Sequence, residues 1–561
     1  MSDFLPSTPE EVKNRGWDYV DIVLVTGDAY IDHPSFGAAV IGRVLEQQGY
    51  RVAICDMPDV KDTSSFTLFG APRLFFAVTG GNVDSVMMRY TSFLKVRNDD
   101  PFRPETEIER PLRSLISYCN CIRSLYKGIP IVIGGIEASM RRLAHYDFVD
   151  NKIRRSILLD SRADILIYGM GEYAVKEVAN RIKKGIAIEG IPGTVIVRKE
   201  LPDDLKKYKV LPDEETLTAG DTESKKLYGV FFKTIYLSLE TVFVQGSGGR
   251  FLLQYPPYKM TGDELDTVYE LPYKYSPAPK YLNRKIDAFN MIQNSINSHR
   301  GCVSGCAFCS IALHQGRRVV SRSEKSIIQE IETLTRDKNF KGHVSDVGGP
   351  TANMYAVSCR SNWQCTRESC LYPNRCPSLV VETKKYLKLL EHCRKIPGVK
   401  KISIGSGVRY DLFYSDYKEG LEDFIVNYVG GQLKIAPEHT EPEVLHVMRK
   451  VPLVPLADFV MFFSKICKKR GVKYFLVPYL MSNHPGSSHA SMIRSRDNVK
   501  KLFGYVPKQV QSFFPLPLTL SSAVYYTGYD PLTGKKVFVE KDKGARNRQH
   551  SLFFEHKKSK K

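Results

Sequence analysis

Arg300-Gly301-Cys302-Val303-Ser304-Gly305-Cys306-Ala307-Phe308-Cys309 sets three thiols in one short stretch, spaced by three residues and then by two, with an aromatic residue before the last. Such spacing lets one loop wrap its thiolates around a single inorganic centre, and the two glycines supply the backbone freedom that wrapping needs. Four-iron clusters are held by cysteine thiolates, so a loop that offers three leaves one iron open to another ligand. The same distinction separates a catalytic zinc site from a closed structural one. A zinc knuckle lacking its fourth ligand is the competing reading of these thiols.

Apolar runs alternate with helical segments from residue 290 onward, at 291–298, 343–347, 401–405, 432–436, 474–479 and 509–514. This pattern predicts a parallel βα array, whose active site lies at the carboxyl ends of the strands. The first run leads straight into the cysteine loop. Asp346-Val347-Gly348-Gly349-Pro350-Thr351 follows the second, Gly405-Ser406-Gly407-Val408-Arg409-Tyr410-Asp411 the third, Pro437-Glu438-His439 the fourth, and Asn483-His484-Pro485-Gly486-Ser487 the fifth. Polar groups recurring after successive strands suit a polar ligand better than any one of them alone. Ser321-x-x-Glu324 reads as a capping box for a helix carrying Ile327, Ile328, Ile331 and Leu334.

The C-x3-C-x2-C pattern resembles the signature of the radical S-adenosylmethionine (SAM) enzymes. With the run Ser310-Ile311-Ala312-Leu313-His314-Gln315-Gly316, the stretch Gly348-Gly349-Pro350-Thr351-Ala352-Asn353-Met354-Tyr355 and Lys434-Ile435-Ala436-Pro437-Glu438-His439, the chain is similar over most of its length to the YgiQ-type radical SAM family. The resemblance implies a partial (β/α)6 radical SAM core over 291–526 and a [4Fe-4S] cluster on Cys302, Cys306 and Cys309. It also implies SAM chelated by the open iron, and an electron from the cluster that cleaves the sulfonium to a 5′-deoxyadenosyl radical. A reductant such as flavodoxin or ferredoxin is implied as a partner. Most radical SAM enzymes carry Gly-Gly-Glu where this chain has Gly348-Gly349-Pro350, so the glycine carbonyls remain as acceptors for the methionyl ammonium. Arg409 and Glu438 are the candidates for the SAM carboxylate and ribose, against the alternative of structural ion pairs. The resemblance supplies cofactor chemistry without a substrate.

Residues 18–185 read as strands at 21–25, 51–55, 74–78, 129–133 and 163–168, with a helix near 35–48. Nearly continuous apolar strands separated by helices predict a doubly wound parallel sheet, in an α/β chain. Gly27, Gly80-Gly81, Gly134-Gly135 and Gly169-Met170-Gly171-Glu172 fall at the carboxyl ends, where such sheets bind ligands. This half resembles the cobalamin-binding-type domain that precedes many radical SAM cores. The cobalt-ligating pattern Asp-x-His-x-x-Gly is not met, because Asp32 and His33 are adjacent and Gly37 follows four residues later. The expectation is a fold relative that does not hold cobalamin through histidine. Residues 186–290 lack long periodic segments and predict an irregular connecting region without a catalytic constellation.

Cys359, Cys365, Cys370 and Cys376 form a second group, interleaved with Arg360, Arg367 and Arg375. Four thiolates so close suit tetrahedral zinc or an auxiliary iron–sulfur cluster, and the arginines would lower the thiol pKa values. Twelve cysteines in a chain of 561 residues predict metal binding in a reducing cytoplasm rather than a disulfide framework. The opening residues are acidic and polar, so export is not expected, and no apolar run approaches the length expected of a membrane span. A net charge of +20 favours anionic partners, including RNA. Residues 527–561 read as a basic tail. A non-catalytic RNA-binding protein stapled by metal knuckles is the alternative function, and it would need neither an open iron nor polar strand ends.

Overall fold

The computed structural model describes residues 4–106, 108–201, 207–238 and 240–554. The chain divides into two compact units, Met1–Gln293 and Asn294–Lys561.

The first unit is built on nine strands: β1 (Ile22–Thr26), β2 (Val52–Asp56), β3 (Phe75–Thr79), β4 (Ile131–Gly134), β5 (Ile165–Ile167), β6 (Thr194–Arg198), β7 (Tyr208–Leu211), β8 (Val242–Ser247) and β9 (Arg250–Gln254). Their order across the sheet is β7-β8-β9-β6-β5-β4-β3-β1-β2. Strands β1 to β5 are parallel, in the order 2-1-3-4-5 of a doubly wound fold. They form because Ile22 to Val25, Val52 to Cys55 and Phe75 to Val78 are apolar and buried on both faces. Helix α1 (Gly37–Gln47) packs Val40 and Val44 inward, and α2 (Ser114–Leu125) does the same with Leu115, Tyr118 and Ile122.

The region 186–290 is not an irregular connector. It contributes β6 to β9, and β5, β6, β9 and β8 pair antiparallel. Gly248 and Gly249, at φ +57° and +70°, make the tight turn between β8 and β9. Strand β7 gives little apolar signal because it exposes Lys209 and Val210 on the sheet edge, whereas β6, β8 and β9 are short, largely buried runs set among turn-rich segments.

In the second unit the parallel pairings run in chain order. β10 (Ser295–Asn297) pairs with β12 (Asp346–Gly348), and β11 (His343–Val344), just before it, pairs with β13 (Lys401–Ile402). A bridge from Val408 to Ile435 leads to β14 (Gln432–Glu438), which pairs with β15 (Phe475–Ser482) and then β16 (Val510–Ser512). This is the partial six-stranded βα barrel, with β11 and β12 forming one interrupted second strand. Met291 lies in a helix, Asp287–Ile292, ahead of the first strand.

Helix α3 (Glu324–Thr335) buries Ile327, Ile331 and Leu334 as its spacing predicts. Its cap is Ser323, which accepts from the Ser326 N–H at 3.1 Å. Ser321 instead accepts from the Ala356 N–H at 2.8 Å, so the Ser321–Glu324 box does not form. The basic tail is folded through residue 554. Helix α4 (Lys543–Ser551) buries Arg546 and Gln549, and Leu552 and Phe553 pack with Leu480, Met492 and Val510. Lys557, Lys558, Lys560 and Lys561 lie outside the described residues.

Candidate active site

The cysteine loop leaves β10 through His299 and Arg300 and is pinned on every side. Gly301 sits at φ +85°, and a Cβ there would lie 2.0 Å from the Arg318 carbonyl oxygen. Gly305, at φ +58°, faces the Glu368 carbonyl, 2.8 Å from where its Cβ would be. The Cys302 N–H donates to Gly316 O at 3.2 Å, and the Ala307 N–H to Met448 O at 2.9 Å. Ser521 N–H closes the far side, donating to Ala307 O at 2.9 Å. Both glycines are therefore required by close backbone approach and not by flexibility.

All three thiols are half-buried. Burial pushes the Cys309 thiol up to about 12, and the Cys306 and Cys302 sulfurs act on it in the same direction. Cys306 is also raised, first by burial, while Lys450 and Arg409 pull it back down. The three sulfurs thus lie within electrostatic reach of one another and of two cations. Among the described residues, no three ligating side chains converge on one ion-sized point. A zinc ion would need that convergence, whereas a four-iron cluster takes each cysteine at a different iron.

Lys450 was missed by sequence reasoning. Its ammonium is buried against Glu438, donating to Oε1 at 2.8 Å. Burial works against its charge, and Glu438 and Cys306 together outweigh burial and raise its pKa. No spacing rule connects Lys450 to Glu438, so no sequence signal was available. Glu438 itself adopts φ +64° at the end of β14. Arg409 is gripped by Asp411, with Nε at 2.7 Å from Oδ1 and Nη2 at 3.1 Å from Oδ2. Its Nη1 reaches Ser304 Oγ in the cysteine loop at 3.5 Å. Both sequence candidates are therefore in ion pairs, and both pairs border the thiols.

Gly348 and Gly349 lie at the carboxyl end of β12. The Gly348 carbonyl already accepts from Ser298 N at 2.6 Å and Ser298 Oγ at 3.1 Å. A Cβ on Gly349 would come within 2.7 Å of the His299 ring, which holds the turn tight. Beyond the strand ends stand buried polar atoms with no partner: His299 Nε2, His439 Nε2 and Asn483 Oδ1. Burial drives His299 down to about 4 and His439 to about 3, so both rings are neutral. These atoms are open to hydrogen bonds from a ligand or from water.

In the second cysteine group, Arg367 does lower Cys370, but burial and the thiols of Cys376, Cys365 and Cys359 prevail and raise it to about 12. The expectation that the interleaved arginines depress these thiols fails there. The absence of an ion-sized convergence among the described residues leaves tetrahedral zinc without support.

In the first unit, the crevice beside the β1/β3 switch point is filled by Arg110. Its Nη1 donates to Gly80 O at 2.7 Å, its Nη2 to Asp28 Oδ1 at 2.7 Å, and its Nε to Asp100 Oδ2 at 2.7 Å. Cβ atoms at Gly27 and Gly81 would collide with this network, at 2.6 Å from Arg110 Nη1 and 2.2 Å from Asp28 Oδ1. His33 is buried, and its Nδ1 accepts from the Ser35 N–H at 3.0 Å. Burial lowers its pKa to about 3, which leaves a neutral ring with the proton on Nε2. Asp32 is bound by Arg43 in a buried ion pair.

Residues 4–295 match the family model described as Radical SAM N-terminal. With the barrel and its cysteine loop, this defines a radical SAM protein. A UPF0313 protein of Methanocella arvoryzae is 43% identical over 557 residues, covering 97% of this chain and 92% of that one. One from Clostridium botulinum is 43% identical over 564 residues, covering 98% and 86%. The chain belongs to this UPF0313, or YgiQ-type, radical SAM family. Among solved structures, the radical SAM methyltransferase TsrM from Kitasatospora setae, with tryptophan substrate and a SAM analogue bound, aligns at TM-score 0.50 and 16% identity, over 89% of this chain and 74% of that one. The same protein with cobalamin and a [4Fe-4S] cluster bound aligns at TM-score 0.50, over 77% of its chain. At that identity the likeness is one of fold.

Proposed function

We propose that this chain is an enzyme that holds a [4Fe-4S] cluster on Cys302, Cys306 and Cys309 and cleaves SAM reductively to act on an anionic substrate. The observation that carries this reading is the three-thiol loop at the carboxyl end of the first barrel strand, with Lys450 and Arg409 both acting on Cys306. Cys302, Cys306 and Cys309 would hold the cluster, which would supply one-electron reduction of the SAM sulfonium.

The protein's own groups bind and orient. Lys450 and Arg409 offset the negative charge that three thiolates bring to a partly buried site. Arg409, held by both oxygens of Asp411, presents a fixed guanidinium to a carboxylate. The Gly349 carbonyl serves the ammonium, since Gly348 is engaged by Ser298. His439 and Asn483 offer a proton donor or acceptor to a ribose or substrate. The reductant is an external one such as flavodoxin or ferredoxin, and the working compartment is a reducing cytoplasm. Among the described residues, no helix is long and apolar enough to cross a membrane. The charge of +20 supports RNA or another polyanion as substrate.

Anaerobically reconstituted protein should release 5′-deoxyadenosine from SAM on reduction, and Cys306→Ala should abolish it. Cleavage that survives in that variant would remove the assignment. For cobalamin, the reading is that His33 is no cobalt ligand, because its Nδ1 lone pair is taken and its Nε2 carries the proton. Hydroxocobalamin retained stoichiometrically, and lost in His33→Ala, would overturn this.

A further inference from the structure

The chain between β12 and helix Thr383–Arg394 folds into a four-cysteine loop that the proposed reaction does not use. Its base is a short antiparallel pair in which Cys359 stands opposite Leu379. Cys376 N–H donates to Cys370 O at 2.7 Å, and Leu379 N–H to Cys376 O at 3.0 Å. Arg367 laces the turn from within, donating to Ser369 O at 3.2 Å and to Asn374 O at 2.8 Å.

Two features point to a ligand. Asn362 and Trp363 hold left-handed backbones, φ +48° and +63°, that residues with side chains rarely adopt. The backbone N–H groups of Ser361 and Trp363 hydrogen-bond the Cys359 sulfur, with Ser361 Oγ at 3.2 Å. These bonds fix the position of the sulfur at the base of the loop. The other three sulfurs all act on Cys370, so the four thiols share one neighbourhood. Among the described residues they do not converge on one ion-sized point. Tetrahedral zinc requires four sulfurs at ~2.3 Å from a single centre, whereas a four-iron cluster spreads its thiolates over separate irons.

We propose that Cys359, Cys365, Cys370 and Cys376 ligate a second [4Fe-4S] cluster, closed by four protein thiolates and so unable to chelate SAM. It backs directly on the first loop, where Cys370 N–H donates to Val303 O at 3.2 Å and Ser369 Oγ to Ser304 O at 2.6 Å. This assignment stands on its own residues and does not depend on the proposed SAM cleavage.

The test is iron and acid-labile sulfide analysis of the full chain, reconstituted anaerobically with iron and sulfide in the presence of zinc. The wild type should hold ~8 iron and ~8 sulfide, and Cys302→Ala/Cys306→Ala/Cys309→Ala should keep ~4 of each. Cys365→Ser, which changes a single exposed thiol, should alter the electron paramagnetic resonance of the reduced triple variant while its circular dichroism stays the same. A wild type with ~4 iron, a folded triple variant without iron, one zinc per chain in place of iron, or a spectrum indifferent to Cys365→Ser would each overturn the proposal. Loss of SAM cleavage with the second cluster intact would count against the proposed function alone.

Discussion

Lys450 Nζ lies 2.8 Å from Glu438 Oε1, and both side chains are only 12% exposed at the rim of the cysteine loop. Removing one partner of such a pair strands the other charge. Lys450→Met should destabilise the protein by ~3–5 kcal/mol, read by chemical denaturation. It should also lower iron loading, since one of the two cations that act on Cys306 is gone. Unchanged stability and loading would show that the pair is incidental.

Asp411 holds Arg409 through two oxygens and also accepts from Leu453 N at 2.8 Å. Asp411→Ala should cost ~3–5 kcal/mol by leaving a buried guanidinium unpaired. Arg409→Lys should keep the charge but lose the two-pronged contact, and SAM binding measured by equilibrium dialysis should weaken by roughly tenfold or more.

Gly301 is the tightest point of the cluster loop, with its Cβ position 2.0 Å from Arg318 O. Gly301→Ala must move backbone against backbone, a strain of the kind that costs ~2 kcal/mol or more. Iron content after reconstitution should drop to well under half of the wild-type value at this site. Full loading would mean that the loop is pliant.

His439 is neutral in the folded protein, its pKa lowered from 6.5 to about 3 by burial. The unfolded chain therefore binds a proton first as pH falls, so stability declines from about pH 6.5 down to about 3. The slope from this residue is ~1.4 kcal/mol per pH unit within that window. His439→Gln should flatten the stability profile between pH 6.5 and 5 by that amount, measured by urea unfolding at fixed ionic strength. An unchanged slope would place the histidine in contact with water.

The parts of this protein that were legible in its sequence are those whose causes are local. The cysteine loop could be read because its three thiols are close neighbours in the chain, so their spacing is visible in the sequence. Strands β1 to β5 could be read because burial on both faces leaves an unbroken apolar run, as in Ile22-Val23-Leu24-Val25. The barrel strands Gln432–Glu438 and Phe475–Ser482 instead alternate buried and more exposed positions, and were marked by the polar residues that follow them.

Which charges meet is set by the folded chain. Arg110 reaches Asp28 across 82 positions, and Lys450 reaches Glu438 across 12. No helical or strand period brings these partners together, so only the folded chain shows that glycines at the β1/β3 crevice make room for an arginine. The hairpin strands β8 and β9 were hidden likewise, because their pairing is set by their sheet neighbours and not by the segment alone. Ion pairs and sheet edges are nonlocal, since desolvated charges are satisfied by whatever the fold places within hydrogen-bond distance. Cysteine spacing and apolar runs, by contrast, are written residue by residue along the chain.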